Sequence, residues 1–130
     1  MILIDSSFLI SYSLDTDRNY GPAHKAFIGI TEEEQVITED ILKEILTVIS
    51  QRRGRKSCIK LYEQFIKKFK IIQVTGNHFQ AGLKLFLNPE LQKNVSLIDC
   101  ISAAICHELG IRKILTFDDH FKLLGLKVVP

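Results

Sequence analysis

The sequence predicts an α/β fold, a three-layer sandwich on a mainly parallel central sheet, and three observations predict it. Short apolar runs, strand-like in length and β-branched content, alternate along the 130 residues with longer segments of helical periodicity. Two of these runs, Ile2-Leu3-Ile4-Asp5 and Ile114-Leu115-Thr116-Phe117-Asp118, are apolar almost throughout and end in an acid. Continuous apolar strands belong in parallel sheets whose two faces are covered by helices. The composition, 46% hydrophobic and 25% charged, is that of an ordinary globular chain, and its length suits one domain over residues 1–130.

Each element has its own local reason. Residues 1–5 read as a strand and 6–12 as a short helix with serine at its start. Asp15-Thr16-Asp17-Arg18-Asn19-Tyr20-Gly21-Pro22 is a run of turn formers, and a second helix is expected from about Ala23 to Ile28. Glu32–Glu34 are solvated, and Gln35–Thr38 form a short strand. Thr38 caps the next helix, whose first turn holds Glu39 and Asp40, the sign the helix dipole prefers. Ile41, Leu42, Ile45, Leu46, Val48 and Ile49 give it an apolar face, and it stops near Arg52-Arg53-Gly54.

Residues 56–69 continue as an amphipathic helix, with Cys58, Ile59, Leu61, Tyr62, Phe65, Ile66 and Phe69 inside and lysines outside, and Ile71–Val74 follow as a strand. Residues 76–87 are helical until Asn88-Pro89 ends them. Ser96 caps a helix to about Leu109, stopped by Gly110, and this helix is apolar nearly all round, so it should be buried. Ile114–Phe117 and Leu126–Val129 complete the strands.

No apolar run approaches the roughly 20 residues that cross a bilayer, and no basic stretch precedes the first apolar run. A cytoplasmic protein without a membrane segment is therefore expected. Cys58, Cys100 and Cys106 form no C-x-x-C pair, and the last two read as packing residues of one helix. His24, His78, His107 and His120 lack zinc-ligand spacing; His120, two residues after Asp118, could touch a site, but a surface histidine is the preferred reading. The net charge is only +2 but unevenly spread: residues 51–93 hold ten bases and two acids, while residues 1–50 hold three bases and nine acids. A basic segment beside an acid-bearing sheet edge suits a metal-dependent enzyme acting on a polyanion. Solvated lysines on a helical pair are the plainer explanation.

The candidate chemistry lies in four acids. Open α/β sheets place ligand sites outside the carboxyl ends of their strands, so Asp5 and Asp118 can meet although 113 residues separate them. Glu44, at the margin of an apolar helix face, and Asp99, in the first turn of the buried helix, can join them. Clustered carboxylates repel unless a cation sits among them, and Mg²⁺ or Mn²⁺ are the hard ions that oxygen ligands suit. Each acid also has a structural reading. Asp5 can cap the following helix, Glu44 can pair with a base, and Ser96-Leu97-Ile98-Asp99 fits a capping box. Asp119 is expected to cap the turn at Phe121 rather than to join the site.

The flanks of these acids resemble the PIN-domain family. Ile4-Asp5-Ser6-Ser7 matches an apolar strand ending in Asp and a hydroxyl residue. Ile41-Leu42-Lys43-Glu44-Ile45-Leu46 matches a Glu within an apolar helix. Ser96 through Ala104 matches a hydroxyl residue before an Asp in a small-residue helix, and Thr116-Phe117-Asp118-Asp119-His120-Phe121 matches Thr-x-Asp-x-x-Phe after a strand. The order and spacing of these weak motifs over essentially the whole chain carry the resemblance. Cys100 stands where such proteins often have alanine, and the basic Arg52-Arg53-Gly54-Arg55-Lys56 turn is outside the family pattern.

The resemblance implies a metal-dependent ribonuclease of the size of the single-domain toxins in VapBC toxin–antitoxin pairs. Asp5, Glu44, Asp99 and Asp118 would be the catalytic and metal-ligating residues for one or two Mg²⁺ or Mn²⁺ ions. Ser6, Ser96 and Thr116 would steady carboxylates or waters; on charge, and apart from the family pattern, Arg52, Arg53, Arg55 and Lys56 of the basic stretch are the candidates to track an RNA backbone. An antitoxin protein and a second copy of the chain are the expected partners, through apolar surface at the junction of the helices within residues 40–69. A PIN-like nuclease for RNA processing or DNA, and a non-catalytic Mg²⁺-binding acidic pocket, are the alternatives.

Overall fold

The computed structural model describes residues 1–130. Five strands form one sheet in the order β3-β2-β1-β4-β5, and all four pairings are parallel. The strands are β1 (Ile2–Ile4), β2 (Gln35–Thr38), β3 (Lys70–Ile72), β4 (Lys113–Leu115) and β5 (Lys127–Val129). The helices are α1 (Ser6–Ser13), α2 (Tyr20–Ile28), α3 (Glu39–Arg53), α4 (Arg55–Lys68), α5 (Gly76–Phe86) and α6 (Leu97–Leu109), with a 3₁₀ helix over Asp119–Leu124. β1 occupies the centre because it has no polar side chain to keep wet: Ile2, Leu3 and Ile4 are fully buried. The chain leaves β1 for β2 on one side and later returns to β4 on the other. The crevice between β1 and β4 is therefore the point where strand order reverses, where α/β sheets place their sites.

Local chemistry sets the helix ends. Thr38 Oγ1 accepts from the Ile41 amide at 3.2 Å and starts α3 as expected. Ser96 and Asp99 close a reciprocal capping box on α6, and Gly110, at φ +70°, ends that helix in the left-handed region. α6 is buried along Cys100, Ile101, Ser102, Ala103, Ile105 and Cys106, and burial pushes the Cys106 thiol up to about 12. α5 lies close against it. A Cβ on Gly82 would meet the Ile101 backbone at 2.7–2.8 Å, so glycine is what lets these helices touch.

Several boundaries differ from expectation by one to three residues: β4 spans Lys113–Leu115 rather than Ile114–Phe117, β5 starts at Lys127 rather than Leu126, and α2 and β3 differ for reasons their contacts show. α2 begins at Tyr20 rather than near Ala23, because Asp17 Oδ1 accepts from the Asn19 amide at 2.8 Å and Pro22 sits in the first turn, where its missing N–H removes no helical bond. β3 spans Lys70–Ile72 rather than Ile71–Val74. The Val74 amide instead donates to Glu39 Oε1 at 2.7 Å, which takes it out of the sheet and ties the start of α3 to the segment after β3. No helix is long and apolar enough to cross a membrane.

Candidate active site

Asp5 follows β1 directly and faces the β1–β4 crevice. Its amide donates to the Leu115 carbonyl at 3.1 Å, which fixes the backbone beside the end of β4. The side chain is 5% exposed. Oδ2 accepts from Ser7 Oγ at 2.6 Å and from Thr116 Oγ1 at 3.0 Å. Asp5 occupies the cap position of α1, but its carboxylate receives no amide of that helix, so the capping explanation is not realised. Burial pushes its carboxyl up from 3.8 to about 6. The hydroxyls of Ser7 and Thr116 oppose that rise, and the charges of Asp99 and Asp118 add to it. The structure thus brings Asp5, Asp99 and Asp118 within electrostatic reach of one another.

Thr116 organises the second strand end. While its hydroxyl donates to Asp5, its oxygen accepts from the Asp118 amide at 3.1 Å. Thr116 is therefore linked to the Asp5 carboxylate and to the backbone at Asp118. Asp119 points elsewhere: it is 82% exposed, pairs with Lys122 at 3.2 Å, and opens the 3₁₀ helix without serving as its cap.

Asp99 keeps its capping role and gains a second one. Oδ2 accepts from the Ser96 amide at 3.1 Å and lies 2.9 Å from His120 Nε2. His120 corrects the preferred surface reading and realises the other, contact with a site acid. Its side chain is 13% exposed rather than at the surface, because the 3₁₀ turn folds the ring inward against the first turn of α6.

Glu44 stands on the next wall. It is half-buried on α3 and lines a concavity of about 400 Å³ with Ser6, Ser7, Ile10, Lys43, Thr47 and Val48. Ser7 thus borders both this space and Asp5. Glu44 forms no ion pair, contrary to its structural reading, and is not among the charges acting on Asp5. Ser7 was the residue missed by sequence reasoning, which favoured Ser6. The available signal was a hydroxyl two residues after a strand-end aspartate.

No lysine or arginine pairs with Asp5, Glu44, Asp99 or Asp118. The side chains as placed include no three His, Cys, Asp or Glu groups in ligating geometry. The donor set nevertheless fits a hard divalent cation: all four are carboxylates, Asp5 is desolvated, and no protein hydrogen bond reaches the Oδ1 atoms of Asp5 and Asp99. In the basic corner between α3 and α4, Arg53 is occupied by Asp15 at 2.6 Å, whereas Arg52, Arg55 and Lys56 are exposed and unpaired.

A PIN-domain family model matches residues 2–126. Curated protein sequences give no match. Among solved structures, the chain is similar to Mycobacterium tuberculosis VapC20, a sarcin–ricin-loop-cleaving toxin, with 20% identity, full coverage of both chains and a TM-score of 0.87. It is similar to FitAcB from Neisseria gonorrhoeae, with 14% identity, 100% and 97% coverage and a TM-score of 0.77. The VapBC2 structure from Rickettsia felis, bound to a promoter DNA fragment, gives 14% identity, 98% and 97% coverage and a TM-score of 0.69. These likenesses establish the fold, and the family model spans every acid of the candidate site: the chain belongs to the PIN-domain family.

Proposed function

We propose that this chain is a metal-dependent endoribonuclease and the toxin of a toxin–antitoxin pair. The observation that carries the reading is the buried Asp5 carboxylate, raised to about 6 and surrounded by acids without a basic partner. Such an arrangement costs stability in the absence of a cation, and sites that do so are functional candidates. The likeness to a sarcin–ricin-loop-cleaving toxin favours RNA as the substrate.

Asp5, Asp99 and Asp118, with Glu44 from α3, are the proposed ligands of Mg²⁺ or Mn²⁺. Bound there, the ion supplies neutralisation of phosphoryl charge and an acidified water. Ser7 and Thr116 hold Oδ2 of Asp5 and leave Oδ1 for the ion. At neutral pH a group with a pKa near 6 is ionised, so Asp5 offers charge rather than a proton. Arg52 lies about 12 Å along α3 from Glu44, Arg55 and Lys56 open α4 after the Gly54 turn, and the three meet the flanking RNA phosphates. Arg53 holds the corner to the segment after α1 instead. The proposed protein partners are an antitoxin and a second copy of this chain. Ile59, Tyr62 and Ile66 of α4, expected inside, are exposed because only Phe65 of this helix is buried in the core, and their stripe supplies apolar surface of the kind such contacts use.

Cleavage of a mixed-sequence RNA by purified protein tests the reading, with Mg²⁺, Mn²⁺ or EDTA, beside Asp5→Asn and Asp99→Asn. Cleavage that requires metal and is lost in both variants is expected. Metal-independent cleavage, or full activity in either variant, contradicts it.

A further inference from the structure

The segment after β4 does more than contribute Asp118. Thr116 binds Asp5, and His120, four residues later, reaches Asp99. His120 Nε2 is fully buried. It lies 2.9 Å from Asp99 Oδ2 but off the axis of a well-formed hydrogen bond, and no other protein group satisfies it. A buried ring nitrogen without a partner is costly, and the carboxylate beside it is the group within reach. Oδ2 also accepts from the Ser96 amide, so both contacts fall on one oxygen and Oδ1 has none. Asp5 shows the same pattern: Ser7 and Thr116 both address Oδ2.

Resting on the metal-centre reading, we propose that His120 is a positioning residue that fixes the Asp99 carboxylate so that Oδ1 is presented to the ion. An aspartate in the first turn of a helix is otherwise free to rotate about its side-chain bonds. A contact from the cap amide and one from the ring, both on Oδ2, set the carboxylate plane. The imidazole acts through Asp99 and touches neither ion nor RNA. One short segment, Thr116–His120, therefore orients two acids and supplies the third.

Calorimetric titration of the full chain with Mn²⁺ tests this, with wild type, His120→Phe, His120→Gln, Asp99→Asn and the Asp99→Asn/His120→Phe pair. Phenylalanine keeps a ring and removes the nitrogen, and glutamine restores a donor at similar reach. Melting curves in EDTA establish that each variant is folded. Outer contacts to ligating groups are typically worth about 10–100-fold in metal affinity, and that loss is expected for His120→Phe. Affinity close to wild type is expected for His120→Gln, and no additional loss for His120→Phe once Asp99 is already asparagine. His120→Phe binding as tightly as wild type, or His120→Gln binding as weakly as His120→Phe, overturns the role of His120 and leaves the metal centre standing. Absence of Mn²⁺ binding by the wild type overturns the metal-centre reading itself.

Discussion

Asp5→Asn should make the metal-free protein more stable while removing its activity. In the folded chain the Asp5 carboxyl is raised from 3.8 to about 6, first by burial and further by Asp99 and Asp118. A raised carboxyl favours folding in its protonated form. Its contribution is fully present below pH 3.8 and is lost as pH rises through about 6. Above that range the ionised group costs about 3 kcal/mol, from roughly 1.4 kcal/mol per unit. Asparagine removes the charge and keeps an oxygen for the Ser7 and Thr116 hydroxyls, so a gain of about 1–3 kcal/mol is expected at neutral pH. For a chain of this length that is about 4–11 °C in Tm. Thermal unfolding followed by circular dichroism in EDTA, at about pH 7.5 and about pH 4.5, measures it. The gap between variant and wild type should shrink at the lower pH, where the buried carboxyl is already protonated. An Asp5→Asn protein no more stable than wild type at neutral pH, or a gap that does not change with pH, would refute the argument.

Further expectations follow from other contacts. Ser7→Ala removes a hydrogen bond that lowers the Asp5 carboxyl, so the acid limb of the cleavage pH profile should move to higher pH; an unmoved limb would separate Ser7 from Asp5. Gly82→Ala forces a Cβ into the Ile101 backbone and should lower stability by about 1–3 kcal/mol in urea titrations, with cleavage per folded molecule unchanged. Replacing Arg52, Arg55 and Lys56 together by alanine should reduce the slope of log affinity for RNA against log salt by about 2–3, whereas Arg53→Ala should leave the slope nearly intact and loosen the corner it forms with Asp15.

What the sequence disclosed was local. The strands around Ile2–Ile4 and Val36–Ile37, the Thr38 cap and the Ser96–Asp99 box are each written within a few residues, and the structure contains all of them. The end of β3 was not legible, because the group that claims the Val74 amide is Glu39, 35 residues away. Arg53 looked available for RNA until the fold supplied Asp15 from 38 residues earlier. The acids at two strand ends could be paired from sheet topology alone. The side chains that hold them could not: Ser7 was displaced in favour of its neighbour, and the inward turn of His120 depends on a 3₁₀ helix packed against α6.

The measurement that bears most directly on the central claim is the position of the ion. Crystals grown with Mn²⁺ and measured near the manganese absorption edge would locate it by its anomalous signal. A peak is expected within bonding distance of Oδ1 of Asp5, between the Asp99 and Asp118 carboxylates, with loss of that peak in Asp5→Asn. A fully bound ion elsewhere on the surface, with Asp5, Asp99 and Asp118 unliganded, would contradict the claim.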